Sequence, residues 1–339
     1  MKKEPLISVI MAVFNGENFL AEAIDSILRQ SYPNFEFIII DDCSNDQTPD
    51  ILSMYANQEK RVKVIVNKKN IGTYKSANLG LAIAKGKYIA RMDADDISYS
   101  NRFEKQVQFL ESNPEIGLLG SAVEIIDENG YIINKFTPAL DDHLIRWKLL
   151  FNNSFAHSSW MLRKNTLNKV GGRYNDLPIA QDYSLASEII KVSRVANLPD
   201  FLIKWRISNN QISETRKKEQ DLIASYISFN NIKDLMGFDF INYNEAEILR
   251  SILKFNESIN KKNYSVFTNF FRIYNRFKNN NGFIKQEIND ISKLVIMKSF
   301  TCINKKVSFI IKLKIIYRCF IINPIICIYY FFYKLFMSK

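Results

Sequence analysis

Short apolar runs alternate with amphipathic stretches from Leu6 to about Ile126. Ile7 to Val13 is a near-continuous apolar run, the pattern of a parallel strand covered on both faces. Phe19, Leu20, Ala23, Ile24, Ile27 and Leu28 then recur at helical spacing on one face. Phe35 to Ile40 predicts the next strand, and Thr48-Pro49 an N-cap and first helical position. Val62 to Val66 and Tyr88 to Ala90 predict two more strands, with a helix from Ser76 to Ala84 between them. The order β-α-β-α-β-α-β predicts an α/β fold with a mostly parallel sheet and right-handed crossovers.

From about Gly130 to Ile207 the pattern is mixed. It predicts a strand pair near Ile125 to Phe136, helices at Asp142 to Leu150 and Asp182 to Val192, and a strand at Phe201 to Ile207. Beyond Glu214 the chain turns helical and rich in Asn and Lys, as in Ala246 to Phe255 and Tyr264 to Phe277. No internal repeat of fixed period occurs. The expected organisation is a domain over 1–210, a helical region over 211–300 and a basic, apolar tail over 301–339.

In an open α/β sheet, ligands bind outside the carboxyl ends of the strands. Polar groups stand at each of these ends: Phe14-Asn15-Gly16, Asp41-Asp42, Asn67 to Asn70, and Asp93-Ala94-Asp95-Asp96. A parallel sheet brings all four to one rim. Three carboxylates within four residues repel one another unless a cation lies nearby. Such hard oxygen ligands suit Mg²⁺ or Mn²⁺, which take one or two carboxylates and complete their shell with phosphate and water. A metal held there neutralises a departing diphosphate. The alternative for Asp93 to Asp96 is a solvated acidic loop that caps the helix beginning near Asn101. Asp41 and Asp42 have two readings, acceptors for a base N–H or ribose hydroxyls, or turn and N-cap residues. Gly72 reads as a turn glycine close to the ligand. Lys75 either approaches phosphate or is a solvated side chain.

Composition narrows the class. The chain has 339 residues, 47% hydrophobic and 24% charged, enough for a large domain with a real core. Its net charge of +11 is unevenly placed, because no acidic residue follows Asp290. Such asymmetry points to an anionic surface, and the Ile, Phe and Tyr of the same stretch favour lipid over nucleic acid. The basic residues gather on an apolar tail rather than on a Gly- and aromatic-patterned sheet, so no nucleic-acid partner is expected. Cys43, Cys302, Cys319 and Cys327 form no CxxC pair, which speaks against a zinc site or disulfide framework and fits a reducing cytosol. Leu6 to Phe14 lacks a small-residue cleavage site and reads as a buried strand, not a signal peptide.

Several segments, taken in order, resemble family 2 glycosyltransferases of the GT-A fold. They are Ser8 to Asn15, Ile40 to Asp46, Asn70-Ile71-Gly72, Asn78-Leu79-Gly80, Gly86 to Ile89 and Asp93 to Asp96. The likeness continues through His157 with Met161-Leu162-Arg163, Val170-Gly171-Gly172, Gln181-Asp182-Tyr183 and Trp205-Arg206-Ile207. It implies a Rossmann-like sheet with helices on both faces and a helical C-terminal region. It also implies an inverting transfer of a sugar from a nucleoside diphosphate donor, UDP in first place, to a hydroxyl of a glycan or lipid-linked acceptor. Surface polysaccharide synthesis at the cytoplasmic membrane face is the implied setting.

By motif position, Ala12 and Phe14 line the nucleotide pocket and Asp42, beside Asp41, binds the base. Asp93 lies near ribose and diphosphate, Asp95 holds the metal with Asp93 as a second candidate, and Asp96 serves behind them or as a helix cap. Asp182 matches the family's catalytic base, the type of group a single displacement needs to take the acceptor proton. Gln181 stands where the family has Glu, and Ser208 where many relatives have His, which leaves those two roles open. His157 and Arg206 fit the pattern, His157 equally as a buried structural histidine. A nucleotidyltransferase and a non-catalytic nucleotide-sugar-binding scaffold are the competing readings.

The uncharged stretch Cys319 to Tyr333 would span roughly 22 Å as a helix, short of the roughly 30 Å hydrocarbon core. Asn323-Pro324 would kink it. An in-plane or re-entrant anchor is the preferred reading, ahead of a tilted span or ordinary packing on the protein.

Overall fold

The computed structural model describes residues 4–208, 215–255, 257, 259–303 and 307–337, with 334–337 described by backbone alone. The expected boundary near 210, Lys305, Lys306, Lys339 and the side chain of Lys334 fall outside the described residues. The chain divides into two compact units, one of Met1–Asp142 with Ser154–Lys217 and one of His143–Asn153 with Lys218–Lys339.

In the first unit, β1 (Ile7–Val13) and β2 (Phe35–Asp41) are buried along their whole length, as their unbroken apolar runs require. β3 (Val62–Val66) and β4 (Tyr88–Arg91) complete a parallel block in the order β3-β2-β1-β4. The register sets Val13 beside Asp41 and Asp41 beside Val66, so the first three strands end on one rim. Arg91 pairs with Ile10, and the acidic run leaves the sheet at the level of that rim.

Helices flank both faces. α1 (Leu20–Leu28) turns Leu20, Ala23, Ile24 and Ile27 onto Val9, Met11 and Val13. α2 (Thr48–Gln58) adds Leu52 to the same core. α3 (Thr73–Ile83) lies on the opposite face, over Ile10 and Ile40: a Cβ on Gly80 would come within 2.7 Å of Ile40 Cδ1, so the glycine permits the close approach. α4 (Arg102–Ser112) returns to the first face through Phe103, Val107 and Leu110. At the strand starts, away from the rim, Glu36 accepts hydrogen bonds from Ser8 Oγ at 2.7 Å and Lys85 N at 2.7 Å, and pairs with Lys63 at 2.5 Å.

The sheet continues through β5 (Ile97–Ser98), β6 (Ile116–Ile126), β7 (Ile132–Phe136), β8 (Met161–Arg163) and β9 (Arg194–Arg206). Its full order is β3-β2-β1-β4-β8-β6-β9-β5, with β7 on β6. β8 runs antiparallel to both β4 and β6, whereas β6 and β9 are parallel. β6 begins well before the expected Ile125, and Gly117 and Gly120 break the apolar pattern of its first half. A Cβ on Gly120 would collide with Asn197 Oδ1, and one on Gly117 with Ser193 and Thr166. β9 likewise starts at Arg194 rather than Phe201. α5 (Asp142–Leu149) groups mostly with the second unit, while α6 (Lys164–Lys169) and α7 (Gln181–Ile189) stay in the first. α7 stops short of the expected Val192. Thr48 is the first residue of α2 rather than its cap, and its Oγ1 accepts the Gly16 N–H at 2.9 Å.

The second unit holds α8 (Lys217–Met236), α9 (Tyr243–Phe255), α10 (Tyr264–Asn280), α11 (Lys285–Thr301), α12 (Phe309–Ile322) and α13 (Pro324–Met337). Trp147 packs 5.5 Å from the Phe270 ring and 5.3 Å from that of Phe277. Buried Arg250 donates to Phe151 O at 3.0 Å, tying residues 143–153 to this core. The expected tail helix is broken at Asn323-Pro324 into α12 and α13, which pack on the same core through Ile311, Ile315, Cys319 and Cys327. No helix among the described residues is long and apolar enough to cross a membrane.

Candidate active site

The loops after β1 and β2 are laced together. Asn15, at φ 51°, donates its N–H to Ser44 Oγ at 2.9 Å and accepts from Asn45 N at 2.9 Å. Ala12 is nearly covered, and Phe14 stands half-exposed at the rim. Asp41 is fully buried; one carboxylate oxygen accepts from Ser44 N at 3.0 Å, while Oδ2 has no hydrogen-bond partner. Such an acceptor, buried at a strand end, is suited to a ligand donor.

Asp42 serves the chain itself. Its Oδ1 accepts from Asn67 Nδ2 at 2.8 Å and Ile71 N at 2.9 Å, and its Oδ2 from Gly72 N at 2.7 Å. Gly72 has φ 92°, a conformation that favours glycine, and it opens α3. Lys75 is exposed and pairs with Asp176 at 3.8 Å, beside a hydrogen bond from Tyr74 to the same carboxylate.

The acidic run separates into three environments. Asp93 Oδ1 pairs with Arg91 at 2.5 Å and its Oδ2 accepts from Ser158 Oγ at 2.8 Å. Burial pushes the Asp93 carboxyl up, but Arg91 and His157 outweigh it and hold the group below the usual carboxylate range. Asp95 is half-buried, and its carbonyl oxygen accepts from Arg206 Nε at 2.9 Å. Asp96 is buried behind them, accepting from Arg206 N at 2.9 Å. Its burial, then the charges of Asp95 and Asp93, push its carboxyl well above the usual range. Neither the solvated-loop reading nor the helix-cap reading of Asp96 survives. The side chain lies against β9, and Asn101 stands at the N-cap of α4 with no side-chain cap bond.

Arg206 is a clamp. Its guanidinium donates to the carbonyls of Asp127 at 3.1 Å and Glu128 at 2.9 Å, pairs with Glu22 at 2.6 Å and stacks 4.3 Å over Phe19. It thus fastens β9 to the acidic run, to α1 and to the turn after β6.

The antiparallel β8 carries the preceding 3₁₀ turn, His157–Ser159, to Asp93. His157 Nδ1 lies 3.9 Å from Asp93 Oδ2, and its Nε2 hydrogen-bonds the Tyr174 hydroxyl at 2.7 Å. Burial, then Arg91, lowers the His157 pKa, against the opposing pull of Asp93 and Asp182. Burial raises that of Tyr174, on which Arg91, Asp93 and Asp182 also act. Asp182, in the first turn of α7, is therefore close enough for its charge to act on both His157 and Tyr174. Its neighbour Gln181 donates to Leu177 O at 2.7 Å, and Ala180 before it takes the left-handed conformation at φ 59°. Asn78 holds Tyr174 through two bonds to its backbone, at 2.8 and 3.1 Å. Ile10, Leu81, Arg91, Leu162, Tyr174 and Leu185 line a small cavity beneath this cluster.

Arg91, Ser158 and Tyr174 did not stand out in the sequence. Arg91 had a signal, a charge closing an apolar strand just before the acidic run. Tyr174 had none, since its place depends on how the loop after Gly172 folds back.

A family model, "Glycosyl transferase family 2", matches residues 8–171. An uncharacterized glycosyltransferase of Haemophilus influenzae is 36% identical over 262 residues, covering 74% of this chain and 81% of that one. TuaG of Bacillus subtilis, a putative teichuronic acid biosynthesis glycosyltransferase, is 29% identical over 63% of this chain and 84% of its own. Among solved structures, residues 1–349 of S. aureus TarS in complex with UDP align with a TM-score of 0.55 at 19% identity, covering 87% of this chain and 86% of that one. That likeness is one of fold, and it agrees with the GT-A arrangement of sheet and helices found here.

Proposed function

The chain belongs to glycosyl transferase family 2, and we propose that it transfers a hexose-type sugar with inversion from a UDP-sugar to a hydroxyl of a glycan or lipid-linked acceptor, in the synthesis of a surface polysaccharide. The observation that carries this reading is the grouping of Asp93, His157 and Tyr174, with His157 Nδ1 3.9 Å from Asp93 Oδ2 and its Nε2 2.7 Å from the Tyr174 hydroxyl, and with Asp182 near enough for its charge to act on His157 and Tyr174. One carboxylate is then at hand for the acceptor and another for the donor. The TarS complex supports UDP as the donor nucleotide, and TuaG supports a cell-envelope polymer as the product.

In this reading Asp182 takes the acceptor's hydroxyl proton as that oxygen attacks the anomeric carbon. The bond from that carbon to the diphosphate oxygen breaks, and its electron pair leaves with the nucleotide. His157, held between Asp93 and Tyr174, orients Asp93 toward the donor. Asp41 Oδ2 accepts from the nucleotide, while Asp42 shapes the Ile71–Gly72 loop around it.

A divalent cation, Mg²⁺ or Mn²⁺, fits the donor set. Three carboxylates crowd one turn of chain, and after burial it is the charges of Asp95 and Asp93 that push the Asp96 carboxyl up, a repulsion that a cation relieves. Asp95 would hold it, with Asp93 as a second ligand, and the bound ion would neutralise the departing diphosphate. No group of three His, Cys, Asp or Glu side chains placed to hold a metal occurs among the described residues. We place the enzyme peripherally on the inner face of the cell membrane, where a lipid-linked acceptor resides. Incubation with a mixed pool of nucleotide sugars and mass-spectrometric reading of the product tests the reaction. Release of pyrophosphate from a nucleoside triphosphate, or donor binding without turnover, would overturn it.

A further inference from the structure

α12 and α13 each carry two apolar stripes, and only one of each is covered. On α12, Ile311, Ile315 and Cys319 follow four-residue spacing and are buried in the helical unit. Ile310, Leu313, Tyr317 and Ile321 recur at three- and four-residue spacing on the opposite side, and all are at least half exposed. α13 repeats the arrangement, with Cys327 inward and Ile325, at 81% exposure, and Tyr329, at 62%, outward. A continuous exposed apolar surface of this kind marks an interaction site.

The charges around it identify the occupant. At about 100° per residue, Lys312 falls on one flank of the exposed stripe of α12, and Lys314 and Arg318 on the other. Lys314 lies 6.0 Å over the Tyr264 ring and Arg318 lies 5.6 Å over that of Phe271, so both cations border the buried side. No acidic residue follows Asp290. A second copy meeting this face would oppose cation to cation with no carboxylate from the segment to pair them. An anionic lipid surface has the complementary charge and a depth into which the apolar stripe can pass. Each helix is 14 residues, about 21 Å, below the roughly 30 Å of a hydrocarbon core, so the pair suits the plane of the interface rather than a crossing.

We propose that the outward faces of α12 and α13 form an in-plane docking surface for an anionic bilayer, with Lys312, Lys314 and Arg318 at headgroup level. The proposal rests on the peripheral placement given above but not on the transfer reaction.

Sedimentation of the full chain with vesicles tests it. Mixed phosphatidylcholine–phosphatidylglycerol vesicles should carry the protein down, and pure phosphatidylcholine vesicles should not. Lys312→Gln with Lys314→Gln should weaken binding about 25-fold, at about fivefold per cation. Ile321→Ser with Ile325→Ser, both at exposed positions, should weaken it by at least about tenfold, with thermal unfolding unchanged. Failure of the unsubstituted chain to sediment, or equal binding to both vesicles, overturns the proposal. A dimer dissolved by the same substitutions without vesicle binding also overturns it, by making the face a contact between copies. Turnover of nucleotide sugar on a soluble acceptor is read separately: turnover without vesicle binding rejects the docking surface alone, and vesicle binding without turnover rejects the reaction alone.

Discussion

The carboxylate of Asp42 accepts the backbone N–H of Gly72 at 2.7 Å, and with it that of Ile71 at 2.9 Å. Asp42→Ala leaves both amides and Asn67 without their acceptor in a largely buried place. The expected loss is about 1–3 kcal/mol in urea unfolding, the cost of orphaned donors, together with a raised KM for the donor. A raised KM at unchanged stability would assign Asp42 to the nucleotide alone.

Asp182→Asn keeps the shape of the side chain and removes the proton acceptor. Transfer should fall by roughly 10²–10⁴-fold, while metal-dependent nucleotide binding by calorimetry stays close to that of the unsubstituted chain. Asp95→Ala should do the reverse of the second part and abolish the metal dependence of nucleotide binding. Full transfer by the Asp182→Asn protein would remove that residue as the base.

Tyr174→Phe deletes the hydroxyl that meets His157 Nε2 at 2.7 Å. Loss of about 1–1.5 kcal/mol of orientation corresponds to a roughly 5–13-fold lower kcat with an unaltered donor KM. An equal rise in KM would show instead that the loop carrying Tyr174 had shifted.

Arg206→Lys retains the charge but loses the planar fork that serves Asp95, Asp127, Glu128 and Glu22. A destabilisation of about 1–3 kcal/mol is expected from the abandoned carbonyls, with activity falling in parallel. Because Arg206 supports the acidic run from behind, added Mg²⁺ or Mn²⁺ should restore part of that activity.

Glu36 gives a pH signature independent of the active site. Burial raises its pKa, but the hydrogen bonds from Lys63, Ser8 and Lys85 outweigh it and leave the group below its ordinary value. A folded-state pKa below the unfolded one stabilises the fold above the unfolded value and loses that effect as pH falls through the folded value. Stability should therefore drop below about pH 4.3, the ordinary Glu pKa, and Glu36→Gln should flatten that limb of a urea-midpoint profile.

The parallel block was legible because β1 to β4 are buried on both faces and read as unbroken apolar runs. The rim followed from it, and the structure brings the ends of those strands to one edge. β6 was legible only at its end, since glycines required by contact with Asn197, Ser193 and Thr166 break its pattern. β8 is three residues long, too short for any period, yet it carries His157 and Ser158 to Asp93. Arg206 reads in sequence as one charge after a tryptophan, and its five-fold tethering depends on elements nearly the whole domain apart. Residues 143–153 gave a helical pattern but no sign that the helix belongs to the second unit.

That last segment makes the protein impossible to divide with a single cut. The chain passes between its units at 142/143, 153/154 and 217/218. Removing everything after Lys217 would strip Trp147 and Phe151 of Phe270 and Phe277 and expose them on the remainder. During synthesis the same segment must wait, with its aromatic side chains uncovered, until α10 has been made. The helical unit is thus an obligate companion in folding rather than an accessory appended to a finished enzyme.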